Sequence, residues 1–106
     1  SDRKERSVIV VLTDAAMADL THIGDYIAND NPERAIRFVR ELLDRCRRLA
    51  EMPKAFPLVP RYEASGVRRY PYGHYLIFYR VGEDQVDILH ILHGAQNYEA
   101  ILFPQG

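Results

Sequence analysis

Cysteine is nearly absent from this chain. Cys46 stands alone, so no internal disulfide can form and the small disulfide-stapled secreted scaffolds are excluded. It falls within an apolar helical pattern, where a thiol behaves as a small buried hydrophobe. The lack of paired cysteines suits a reducing cytoplasm, which is the expected location. Net charge is almost absent too, at −1, so the overall balance does not advertise a nucleic-acid binder. Long apolar runs are missing. The run at residues 8–12, behind a charged start, is too short for a signal core or a membrane span, and neither is expected. No GxGxxG or Walker-type loop is present. Beyond Ser7 the only serine is Ser65, in a proline-bounded loop that offers no partner motif for a nucleophile. His90 and His93 lie three apart on a strand and point to opposite faces, with Cys46 far off in sequence. No metal and no cofactor are therefore expected. Internal repeats and low-complexity tracts are absent as well.

What is present is a chain of 106 residues, long enough for one hydrophobic core but not for two. Residues 1–6 are expected to be a flexible, exposed start, followed by one domain over residues 7–104. Val8-Ile-Val-Val-Leu12 is β-branched and apolar, and reads as a strand with both faces largely covered. Thr13 or Asp14 then supplies an acceptor for the first free amides of a helix. In that helix Ala16, Leu20, Ile23 and Ile27 form one apolar stripe, and Gly24 weakens it or permits a close helix crossing. Asn29-Asp-Asn31 ends it. Asn31 caps the next helix, with Pro32 at its first position, where a missing amide costs nothing. Ile36, Val39, Leu42, Leu43, Cys46, Leu49 and Ala50 give this second helix a broad apolar face. So short a connection makes the pair an antiparallel hairpin.

Pro53, Pro57 and Pro60 turn residues 52–66 into a connector, with Phe56, Leu58 and Val59 packing at the rim of the core. Val67–Tyr72 reads as a short strand that Pro71 confines to an edge. Gly73-His74 turns into a strand over Tyr75–Val81. Gly82-Glu-Asp-Gln85 is a second turn signal, and residues 86–93 form the last strand. Strict alternation there puts Val86, Ile88, His90 and Leu92 on one face, and Asp87, Leu89, Ile91 and His93 on the other. Tyr98, Ile101, Leu102 and Phe103 are available to pin a compact tail onto the sheet. The predicted fold is α+β, in the order β-α-α-β-β-β, with a helical hairpin packed on a small antiparallel sheet and a short C-terminal segment.

Two kinds of residue carry the candidate chemistry. Residues 34–48 hold six arginines against Glu41 and Asp44, and Arg61, Arg68 and Arg69 follow. A solvated helix face with ordinary ion pairs accounts for the first group. Arg61, Arg68, Arg69 and Arg80 present planar forks suited to a phosphate, and His93 can act as acid or base near neutral pH, which keeps phosphodiester cleavage open. No carboxylate–histidine or tyrosine–histidine pairing is legible beside them. Five of the seven tyrosines fall between Tyr62 and Tyr79. Tyr62, Tyr70, Tyr72 and Tyr75 beside Arg61, Arg68 and Arg69 make a surface fit for protein recognition, since tyrosine offers area and a hydroxyl at little entropic cost.

Three segments carry a family resemblance: Leu12-Thr-Asp-Ala-Ala16 leading into Asp19-Leu20 and Tyr26-Ile27; Arg68-Arg-Tyr-Pro-Tyr-Gly-His-Tyr-Leu-Ile-Phe-Tyr-Arg80; and Leu89-His-Ile-Leu-His-Gly-Ala-Gln-Asn-Tyr-Glu99. In order and spacing they resemble the RelE/ParE toxin superfamily over about residues 8–103, and the histidine–glycine–alanine step at 93–95 is similar to its ParE branch. The resemblance implies a cytoplasmic toxin of a type II toxin–antitoxin module. It implies a ParD-type antitoxin, with a ribbon-helix-helix DNA-binding part and a flexible C-terminal arm, in a hetero-oligomeric complex. DNA gyrase is the implied target, DNA is reached only through the antitoxin, and no membrane is involved. Relatives of RelE type instead cut messenger RNA on the ribosome, and a nuclease reading here would rest on Arg69, Arg80, His93 and Tyr98. Gln96 stands where those nucleases, and many ParE relatives, carry a basic side chain, a departure that counts against the nuclease reading and fits a toxin acting by binding. The residues expected to meet the antitoxin are Val8, Val10 and Leu12 at a candidate strand edge, with Arg61, Tyr62, Arg68, Arg69, Tyr70 and Tyr72. Those expected to meet the target are His93, Gln96, Tyr98 and Phe103.

Overall fold

β-branched, proline and asparagine positions divide the chain as its pattern predicts, in a computed structural model that describes residues 8–105. The expected flexible stretch 1–6 lies outside the described residues. The elements are β1 (Ile9–Leu12), α1 (Asp14–Ala28), α2 (Pro32–Arg48), a 3₁₀ turn (Glu63–Ser65), β2 (Val67–Tyr72), β3 (Tyr75–Val81), β4 (Gln85–His93) and α3 (Tyr98–Leu102). The sheet order is β1-β4-β3-β2, with β1 parallel to β4 and the other neighbours antiparallel.

Local chemistry sets the helix boundaries. The Thr13 hydroxyl accepts the Ala16 amide at 3.2 Å and also donates to the Ile88 carbonyl at 2.8 Å, tying the start of α1 to β4. Such a cap contributes about 1 kcal/mol. Asn31 caps α2 through the Arg34 amide at 3.1 Å. Ala16, Leu20, Ile23 and Ile27 are all buried against the sheet. Gly24 serves a close crossing: a methyl group there would sit 3.3 Å from Val39 Cγ2.

The two faces of the sheet carry different cores. Leu42, Cys46 and Leu49 of the hairpin side meet Tyr70, Ile77, Tyr79 and Ile88 in the main one. On the opposite face Val59, Val67, Phe78 and Leu92 lie beneath Tyr62, Tyr98, Leu102 and Phe103, so the tail is pinned back as expected. The outer edge of β2 is covered by the connector, through Val59 N to Val67 O at 2.9 Å and Arg69 N to Pro57 O at 3.0 Å.

Three expectations change. β1 is not covered on both faces: Ile9 is 58% exposed and Val11 36%, because β1 is an outer strand with the hairpin on one side only. Ile36, expected in the apolar face of α2, is 60% exposed, while Ala35 takes the buried position. The alternation of β4 breaks at a bulge. Phe78 pairs with His90 and Tyr79 with Ile88, leaving Leu89 as an extra residue. Ile91 consequently joins Val86 and Ile88 against the helices, and Leu92 turns to the second core.

Candidate functional site

Among the described residues, the open edge of the sheet is built by β1. Strand backbones alternate direction, and the amides of Ile9 and Thr13 bond to Asp84 and Ile88 on the β4 side, at 3.2 and 3.1 Å. The backbone groups of Val10 and Leu12 therefore point away from the sheet. Val8, Val10 and Leu12 turn their side chains to the core, where they are partly buried. They face the edge through their backbone, and the exposed side chains on this strand are Ile9 and Val11. β4 runs on past the end of β1, and its edge there is closed by side chains. Thr13 Oγ1 donates to the Leu89 carbonyl at 3.1 Å, Asp19 Oδ2 accepts the Ile91 amide at 2.8 Å, and Gln96 Oε1 accepts the His93 amide at 2.9 Å.

A second surface lies over the face of the sheet away from the hairpin. Arg69 Nη1 donates to the Tyr98 hydroxyl at 2.7 Å, and the Tyr98 ring packs 5.0 Å from Phe78. Arg61 grips Glu99 with one nitrogen between both carboxylate oxygens, at 2.8 and 2.9 Å, which raises the guanidinium above its ordinary value. Tyr62 stacks on Phe103 with ring centroids 4.1 Å apart and planes at 4°. Thus Arg61, Tyr62, Arg69, Tyr98 and Phe103 come together. Arg61 holds a left-handed backbone, φ 73°, unusual for a side chain of its size.

The remaining candidates separate by strand alternation. Arg68 points to the other side of β2, donating to the Phe56 carbonyl at 2.7 Å. Tyr70 is buried and stacks on Phe56 at 3.9 Å, so it belongs to the core and not to an exposed recognition surface. Tyr72 donates to Glu41 at 2.7 Å beneath the Arg45 guanidinium, and that hydrogen bond holds its phenol above the usual range. Arg80 Nε donates to the Ser65 carbonyl. His93 lies on the hairpin side of the sheet, in a cleft of about 610 Å³ with His22, Tyr26, Arg34, Tyr75 and Gln96. Its Nδ1 accepts the Ala95 amide at 3.0 Å.

The four residues of the nuclease reading are therefore not gathered. Arg69 meets Tyr98, but Arg80 is held by the 3₁₀ turn and His93 faces the opposite side. Among the described residues the hydrogen-bond partner of the Tyr98 hydroxyl is Arg69. This arrangement can bind an acidic or aromatic surface. Sequence reasoning missed Ile9 and Val11, which the period-two pattern of an outer strand could have flagged. It also missed Asp19, whose partners lie more than seventy positions away. No helix among the described residues is long and apolar enough to cross a membrane, and no group of three metal-ligating side chains is present among them.

A helical hairpin laid on one face of this four-stranded sheet, with a short helix closing the other, is the fold of the RelE/ParE toxins. The model of the family "ParE toxin of type II toxin-antitoxin system, parDE" matches residues 10–98, and the chain belongs to that family. A solved structure of the chromosomal ParDE toxin–antitoxin system from P. aeruginosa is similar at a TM-score of 0.69 and 25% identity, covering 83% of this chain and 97% of that one. The toxin–antitoxin complex RelBE2 from Mycobacterium tuberculosis shares the fold at a TM-score of 0.63 and 22% identity, covering 82% and 98%. No curated protein matches the sequence significantly.

Proposed function

We propose that this chain is a growth-arresting toxin that acts in the cytoplasm by binding DNA gyrase and is neutralised by a ParD-type antitoxin. The observation that carries the reading is membership of the ParE family over residues 10–98. The similar P. aeruginosa structure comes from a ParDE system, which supports an antitoxin partner here. The open β1 edge, with outward backbone groups at Val10 and Leu12 and exposed Ile9 and Val11, suits an arm that adds as a strand. Arg61, Tyr62, Arg68, Arg69 and Tyr72 remain candidates for its acidic and apolar side chains. His93, Gln96, Tyr98 and Phe103 remain candidates for the target. His93 and Gln96 lie at the histidine cleft and Tyr98 and Phe103 on the sheet face, so a single target surface would have to span both.

The separation of His93 from the Arg69–Tyr98 pair favours binding over RNA cleavage. A supercoiling assay with purified gyrase is the direct test, with inhibition expected and released by the antitoxin. Codon-register cuts in cellular messenger RNA that disappear in Arg69→Ala or His93→Ala would overturn the reading.

A further inference from the structure

The cleft of about 610 Å³ that holds His93 has the size of a small-molecule site. Both helices, the β2–β3 turn and the end of β4 build it. α1 contributes His22 and Tyr26, α2 contributes Arg34 and Phe38, and the turn contributes His74. Burial raises the Tyr75 phenol above its ordinary value, Tyr26 raises it further and Arg34 lowers it, so both stand near its hydroxyl. The chain as a whole has 15 acidic residues against 14 lysines and arginines, yet no carboxylate lines this cleft.

Its lining offers two kinds of contact. Arg34, His22 and His74 are exposed, and among the described residues their side chains make no hydrogen bond or ion pair. Arg48 and Arg61, by contrast, are engaged by Asp44 and Glu99. Beside these free donors runs a row of rings: Phe38, Tyr75, His93 and His74, with successive centroids 5.6, 5.3 and 6.0 Å apart. Tyr26, 74% exposed, has no ring against it among the described residues. A guanidinium and imidazoles match the oxygens of a phosphate, and an uncovered phenol ring matches the flat face of a base. A metal ion fits less well. Three histidines line the cleft, but among the described residues no three metal-ligating side chains lie close enough to share an ion. A simple anion would leave the rings idle, and an apolar ligand would leave the cations idle.

We propose that this cleft binds a nucleoside phosphate, with Arg34, His22 and His74 on the phosphate and the Tyr26 ring on the base. The site lies across the sheet from the Arg69–Tyr98 pair and does not depend on the gyrase reading.

Calorimetric titration of the purified chain with each of the four ribonucleoside 5′-monophosphates tests this. At least one should bind with a dissociation constant below about 1 mM. Inorganic phosphate, or the matching nucleoside, should bind at least about tenfold more weakly, because each engages one part of the lining. Arg34→Gln should weaken the nucleotide by about tenfold or more, and Tyr26→Ala by about fivefold or more. Both side chains are exposed, so both variants should fold, which circular dichroism checks. Amide shifts on binding should centre on Gly73, His74 and Tyr75. Failure of all four nucleotides to bind, phosphate binding as tightly as nucleotide, indifference to both substitutions, or shifts centred on Arg69 and Tyr98 would each overturn the proposal. Gyrase inhibition is read separately, so absence of nucleotide binding leaves the proposed function untouched, and a chain inert towards gyrase leaves the cleft's assignment standing.

Discussion

The carboxylate of Asp19, midway along α1, accepts the backbone amide of Ile91 in β4 at 2.8 Å, and the same oxygen lies 2.8 Å from His90 Nδ1. It occupies the place of a neighbouring strand where β1 has already ended. Asp19→Ala leaves a half-buried amide without an acceptor and removes the partner of His90. The expected loss is about 2–3 kcal/mol, read as a shift in urea midpoint at unchanged slope. Asp19→Asn keeps one acceptor oxygen for Ile91 and should lose less than half as much. Equal losses would show that the negative charge, and not the hydrogen bond, is what β4 needs.

Tyr79 is fully buried and donates to the Pro53 carbonyl at 2.7 Å, fastening the proline connector beneath the sheet. Burial pushes its phenol above the usual range. The folded chain therefore holds that proton more tightly than the unfolded one. The resulting stability is complete below about pH 10, the unfolded value, and is lost as pH rises through the higher folded value. Tyr79→Phe should cost about 1 kcal/mol near neutrality, with a Pro53 carbonyl left to find water. It should also make the decline in stability above about pH 10 shallower. Tyr72 and Tyr75 are displaced in the same direction, so part of the decline persists. Thermal melts of both proteins across that range decide it.

Cys46 has no exposed surface, and burial pushes its thiol up to about 12. A thiol reacts as the thiolate, so the native chain should resist disulfide reagents at pH 8. Labelling should appear only as α2 lifts from the sheet, and its rate should follow the opening equilibrium as urea is raised. Fast labelling without denaturant would mean that α2 is loosely seated.

The helical hairpin was legible because its signals are local. Thr13, Asn31 and Pro32 mark the starts, and the Ala16–Leu20–Ile23–Ile27 stripe fixes the buried face. The meander was legible for the same reason, through Gly73 and the turn before β4. The place of β1 at an edge was expected, but its partner was not, since its pairing with β4 joins residues more than seventy apart and leaves no trace in the run itself. The bulge at Leu89 was equally silent. One extra residue reverses the faces of Ile91 and Leu92, and an alternating pattern of apolar residues reads the same in either register. The candidate surface was half legible: Arg61, Tyr62, Arg69, Tyr98 and Phe103 do converge, whereas Tyr70 went to the core because even positions of β2 face the hairpin.

The β1 edge offers a prediction that separates backbone recognition from side-chain recognition. An arm adding as a strand would bond the outward groups of Val10 and Leu12 and lie beside the exposed Ile9 and Val11. Lysines at such positions are a natural device against strand pairing, because the charge cannot be desolvated under an incoming chain. Ile9→Lys with Val11→Lys should leave the fold intact, because both positions are part-exposed and a lysine stem can carry its ammonium into solvent, and should weaken antitoxin binding by about tenfold or more. Ile9→Thr with Val11→Thr keeps β-branched, uncharged edges and should bind within about threefold of the original, since strand addition draws its affinity from the backbone. Calorimetric titration with the antitoxin arm measures both. If the threonine pair were as damaging as the lysine pair, the arm would be reading apolar side chains rather than adding to the sheet.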